Sequence, residues 1–286
     1  MYDPRILRKS VKEFGVTNTK QYDGSRRHVL DWIESAGFLD TVRNWTRDQG
    51  FVIAPDATRM PKSWAEPDES RLFDATSQFL DEINQSILQG WWLAHAGNIP
   101  NWDLIVAATM NSGSALVLVE AKAHASEFDC KLKPRATRKT SDAQKKTDEN
   151  HNRIGQAIDE ASVALSHAYP GIFISRDRCY QLSNRIAMAW KLASMGIPST
   201  LVFLGFTGDD AIAKAGDYFA DDDHWQRSFA SYAASSIPPE YLDRDLSGGG
   251  ANFRVITRSL PAGRLSRPLN ERMVRLNPRT SDSLPK

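Results

Sequence analysis

Cysteine is scarce: the 286-residue chain has two, Cys130 and Cys179, and no CxxC pair. Such usage argues against a disulfide framework and against a zinc site, and it agrees with a reducing, cytoplasmic setting. Net charge is equally scarce. A formal balance of +1 gives no global attraction to nucleic acid, so any basic binding face has to be local. No apolar run approaches the ~20 residues that cross a bilayer. The opening MYDPRILRKSVKEFG carries charge with no apolar segment behind it, so no secretory signal is expected. Also missing are HExxH for zinc, a GxxxxGK[ST] phosphate loop and a GxSxG elbow. Gly248-Gly249-Gly250 has no lysine or helical pattern after it and reads as a connector. No internal repeat is present.

What is there belongs to an ordinary globular protein: 41% hydrophobic and 25% charged residues. Residues 1–25 read as a polar arm. Apolar spacing predicts short helices over 26–36 and 38–49, broken at Gly37, with Val29, Trp32, Ile33, Leu39, Val42 and Trp45 inward. Three prolines make 54–67 a linker. A long helix is expected over 68–89, with Asp68 and Glu69 in its first turn, and a short strand over 91–96.

The most informative stretch is NWDLIVAATMNSGSALVLVEAKAH, residues 101–124. Two apolar runs flank the turn residues Asn111-Ser112-Gly113, which predicts a hairpin buried on both faces. Asp103 opens the first strand, and Glu120 and Lys122 stand two apart on the second. Side chains two apart share a face of a strand, so Glu120 and Lys122 project together while Ala121 points away. Two carboxylates near a backbone carbonyl suit a hard cation such as Mg²⁺. A lysine beside them can orient water and stabilise negative charge. The bland alternative for Glu120 and Lys122 is a strand-end ion pair of little energetic weight.

Beyond the hairpin, residues 131–146 hold seven Lys and Arg against the single Asp142, a solvated loop or a phosphate-binding segment. The seven arginines from Arg254 to Arg279 carry the same ambiguity. Helices are expected over 152–168, 178–195 and around 225–234, a buried strand at STLVFLGF (199–206), and a last strand over 253–257. On the 178–195 helix Arg185 is a candidate phosphate contact and Gln181 a candidate polar reader of substrate. His124 reads as a solvated strand-end side chain.

The pattern of Asp103, sixteen residues, then Glu120-Ala121-Lys122 resembles the PD-(D/E)XK nuclease superfamily. The match differs in that Pro100 is separated from Asp103 by Asn101 and Trp102. The resemblance implies an α/β restriction-endonuclease-like core: helix, three strands, helix, strand, a mixed central sheet flanked by helices. It places an N-terminal arm and helical segment at 1–60, the core at 61–210 and a C-terminal extension at 211–286. It further implies a Mg²⁺-dependent nuclease, with Mn²⁺ as substitute, acting on nucleic acid and DNA first. Asp103 and Glu120 would be the metal ligands and Lys122 the catalytic lysine. Glu69 is the choice for a first-helix acid, with Glu82 as competitor, and Gln156 matches a glutamine that some members carry. No membrane partner is implied, and homodimerisation is left open. The alternative function is a catalytically inactive nucleic-acid-binding or assembly module of the same fold.

Overall fold

The computed structural model describes residues 24–73, 77–111, 113–128, 130–209 and 217–262. Most of the polar arm, Ser112 of the expected turn and the arginines beyond 262 lie outside them. The chain builds a six-stranded mixed sheet flanked by helices on both faces. Two helices open the described chain: α1 (Gly24–Ile33) and α2 (Phe38–Thr46), with the break expected at Gly37. Strand β1 (Arg59–Met60) follows, then helix α3 (Glu82–Trp92) and the hairpin β2 (Leu104–Met110) and β3 (Gly113–Lys122). After it come α4 (Ser141–Ala168), α5 (Tyr180–Ser194), β4 (Ser199–Thr207), α6 (Asp222–Ala233), β5 (Asp245–Ser247) and β6 (Asn252–Pro261).

The strands lie in the order β1-β2-β3-β4-β6-β5. The β1-β2, β2-β3 and β5-β6 pairs are antiparallel, and β3-β4 and β4-β6 are parallel. Strand alternation splits the core in two. Ile105, Leu116, Leu118, Leu201 and Phe203 pack with α3, α4, α5 and α6. Leu104, Val106, Val117, Val119, Ala121 and Val202 face the other way, against α1 and α2. Glu120 and Lys122 continue the Leu116–Leu118 face, and so emerge beneath α5.

Several expected elements differ. The long helix over 68–89 is short: α3 starts only at Glu82, where Asp81 caps it by accepting the Asn84 N–H at 2.8 Å. The apolar residues before it are buried without helical turns, Leu72 and Phe73 in succession. Ser70 instead bridges to Trp102, its carbonyl accepting the Trp102 N–H at 2.9 Å. Glu69 therefore sits on an irregular segment, not in a first helical turn. Trp91 and Trp92 end α3, in place of the expected strand. The first strand, β1, comes from the proline-rich linker and precedes α3, so the expected order of a helix followed directly by three strands is not what the chain forms. Helix α4 begins at Ser141 with Thr140 as cap; its first turns face solvent and carry no apolar stripe. Strand β6 runs on to Pro261.

The cysteines are also corrected. Cys130 and Cys179 form a disulfide, fastening the segment after β3 to the start of α5. The scarcity of cysteine therefore gives no ground for a reducing compartment. Among the described residues no helix is long and apolar enough to cross a membrane.

Candidate active site

The carboxyl-bearing end of the hairpin lies at the mouth of a cleft of about 450 Å³ lined by Glu69, Arg71, Asn98, Ile99, Asn101, Asp103, Glu120, Gln181 and Arg185. Register explains the meeting. Leu104 pairs with Val119 across β2 and β3, so Asp103 lies beside the Glu120–Lys122 end. One Asp103 oxygen, Oδ2, accepts the Ala121 N–H at 2.7 Å. That bond aims the carboxyl across the strand toward its neighbours.

Glu120 is almost fully buried and both its oxygens are engaged. Oε1 accepts from the Lys122 ammonium, and Oε2 accepts from Arg185 Nε at 2.6 Å. Arg185 is itself fixed. It donates to the Asn101 carbonyl at 2.6 Å and to Asn184 Oδ1 at 3.0 Å, and its guanidinium lies 4.4 Å from the Trp102 ring centre. A buried carboxylate held by two cations is costly to break, because losing one side leaves charge without a partner in low dielectric.

Proton affinities follow from this arrangement. Burial pushes the Asp103 carboxyl up to about 7, helped by the Glu120 charge, while Lys122 and the Ala121 N–H pull back. For Glu120 burial acts in the same sense, but Arg185 and Lys122 outweigh it and hold the group below its ordinary value. For Lys122 burial works against the ammonium, and Glu120 with Asp103 overcome it, leaving its pKa raised. Two adjacent acids with affinities driven apart are a frequent mark of functional sites.

Glu69 reaches the cleft by way of the Ser70–Trp102 bridge and is 3.6 Å from Arg26. Its charge adds to the upward push on Asp103. Glu82 is exposed at the start of α3 and does not line the cleft. Gln181 lines it, while Gln156 is exposed on α4 and does not. His124 bonds Ser126 at 2.6 Å, away from the cleft lining.

Two supporting residues escaped the sequence reading. Glu127 accepts the Ala123 N–H at 2.6 Å and adds negative charge near Lys122. Asn101 contributes both its carbonyl to Arg185 and its side chain to Arg71, at 2.8 Å. Neither falls on a periodic element, so no pattern announced it.

The donor chemistry of Asp103 and Glu120, carboxylate oxygens only, fits a hard divalent cation. Their arrangement is not that of a completed cation cage: among the described residues no group of three or more His, Cys, Asp or Glu is placed to hold a metal. Lys122 and Arg185 each hold one Glu120 oxygen, so a cation entering there competes with them for the remaining lone pairs or displaces one of them. No family model, curated protein or solved structure matches this chain, and the chemistry rests on these residues alone.

Proposed function

We propose that this protein is a divalent-metal-dependent nuclease that hydrolyses phosphodiester bonds, DNA foremost, with a restriction-endonuclease-like core. The observation that carries the reading is the meeting of Asp103 and Glu120 in the lining of one cleft, with Lys122, buried and outside that lining, bonded to Glu120, and with Asp103 and Glu120 pushed to opposite proton affinities. Support for the fold comes from the antiparallel β1-β2-β3 unit joined in parallel to β4 after α4 and α5.

Asp103 and Glu120 would hold Mg²⁺, which when bound offsets charge on the phosphoryl oxygens and acidifies water. The chain's own residues supply the rest. Lys122 keeps its proton at neutral pH, so it serves as a donor that orients the attacking water and stabilises added negative charge, not as a base. Arg185, released from Glu120, is within reach of substrate in the same cleft and takes a phosphate oxygen. Glu69 steadies the third side and draws Arg26 to it.

Plasmid and linear DNA incubated with the protein in Mg²⁺ are expected to be cut, and not in EDTA. Cleavage that survives Lys122→Ala combined with Glu120→Ala sinks the assignment. One observation favours a second reading, an inactive nucleic-acid-binding module: Glu120 is already neutralised by Arg185 and Lys122. That reading predicts salt-sensitive binding with no metal-dependent cutting.

A further inference from the structure

Three depressions run into one another along one side of the molecule. The carboxylate cleft shares Asn98, Gln181 and Arg185 with a second depression of about 380 Å³, which adds Lys133 and Tyr180. That one shares Asn98 and Lys133 with a third, of about 330 Å³, which adds Arg138, Lys146 and His151. The line begins acidic and ends basic.

Among the described residues Lys133, Arg138 and Lys146 make no ion pair; the nearby Asp148 is taken by Arg135 at 2.7 Å, and its charge and that of Asp177 are felt by His151. Lys133 is half-buried, and its ammonium lies 5.0 Å from the Tyr180 ring centre. Burial and the nearby Arg176 charge weaken its hold on its proton. Arg138 spends its side chain on the Thr147 hydroxyl, at 3.1 Å, and Lys146 projects from α4 into solvent. The buried Nδ1 of His151 has no hydrogen-bond partner among the described residues. Clustered cations that repel one another are stabilised when an anion arrives.

We infer that this groove is a track for one strand of nucleic acid, with Lys133, Arg138 and Lys146 gripping the phosphate backbone that leads to the carboxylate cleft. The inference rests on the nuclease reading and deepens it by naming the state of the substrate. Depressions of about 330–450 Å³ are each of the size that holds one small molecule, so three in series suit successive nucleotides of one strand. Basic side chains beside an aromatic ring are how sequence-tolerant single-strand binding is built; here the ring, Tyr180, packs on the core and carries the Lys133 ammonium, so a base that stacks on it displaces Lys133 toward the phosphates.

The test is fluorescence anisotropy of a labelled oligonucleotide, as single strand and as duplex, with the full chain in EDTA at several salt concentrations. The single strand is expected to bind more tightly than the duplex. Arg138→Glu with Lys146→Glu, both exposed positions, is expected to weaken it about tenfold or more. The salt slope should fall by about one for each phosphate no longer neutralised. Lys133→Gln should act in the same direction. Lys62→Glu, on the far side of the sheet beside Glu34 and Arg59, changes charge at a place outside the groove and should leave binding unaltered. Equal affinity for duplex, an equal loss from Lys62→Glu, or no loss from the groove variants would overturn the track. Because no metal is present, the result is independent of cleavage. Tighter single-strand binding by the unaltered chain in EDTA, together with no cutting of any DNA in Mg²⁺, supports the track even where the nuclease reading fails.

Discussion

Replacing Asp103 by Asn should make the fold more stable above neutral pH and leave it unchanged in acid. Burial raises this carboxyl from 3.8 to about 7, so the folded chain resists ionising it. The sign follows directly. Below pH 4 the group is protonated folded and unfolded, and it contributes no difference. Between 4 and 7 the unfolded chain releases the proton while the folded chain keeps it, and stability falls with rising pH. Above 7 the penalty is complete. At ~1.4 kcal/mol per tenfold change in proton affinity, the ceiling is about 4 kcal/mol. The value of about 7 already includes the pull of Lys122 and of the Ala121 N–H; Asn keeps an oxygen for that N–H but adds an amide N–H₂ that has to be satisfied in a buried place, so a gain of about 2 kcal/mol, half the ceiling, is expected. For a domain of this size that is a Tm rise of about 4–8 °C. Thermal unfolding of both proteins in EDTA at pH 4, 6 and 8 provides the comparison. A Tm that falls on substitution at pH 8, or a gain as large at pH 4 as at pH 8, refutes the account of why Asp103 is strained.

Glu120→Gln should do the opposite. It strips the negative charge from between Lys122 and Arg185, and stability should drop by about 3 kcal/mol or more, visible as a lowered denaturant midpoint. A neutral result means that the two cations find water. Gly205→Ala should also destabilise: a Cβ there collides with the Trp225 ring, and overpacking of this kind costs about 1–3 kcal/mol. An unchanged Tm places Trp225 elsewhere. Lys122→Ala should abolish Mg²⁺-dependent cleavage while leaving single-strand binding in EDTA intact; loss of both indicates misfolding, which circular dichroism would register.

The hairpin was legible because both its signals are local. Apolar runs flanking Asn111 and Gly113 define the strands, and period-two alternation puts Glu120 and Lys122 on one face whatever their partners. Strand β4 was legible for the same reason. The immediate partner of Glu120 was not. Arg185 lies 65 residues away, and only the packing of α5 over β4, the neighbour of β3, brings it there; its sequence context suggests a phosphate contact, not an occupant of the acid. Glu69 reaches the cleft for a reason that the sequence hides, through a backbone bridge at Ser70 instead of a helix. Leu72, Phe73, Phe79 and Leu80 mimic one helical stripe, whereas the true start signal is Asp81 three residues before Asn84. Helix α4 starts earlier than its stripe suggests because hydrophobic period appears only from Ile154, while its first turns stand in solvent where polar residues cost nothing. The disulfide joins cysteines with no telling spacing, so chain geometry alone reveals it.

The central claim is that Asp103 and Glu120 share a divalent cation. A crystal of the protein soaked in Mn²⁺ and measured at the manganese absorption edge tests it most directly. The account predicts one anomalous peak between the two carboxyls, with oxygen ligands from both and with Lys122 or Arg185 withdrawn from Glu120. A Glu120 still bound to both cations, with no peak at the cleft under saturating Mn²⁺, would contradict it.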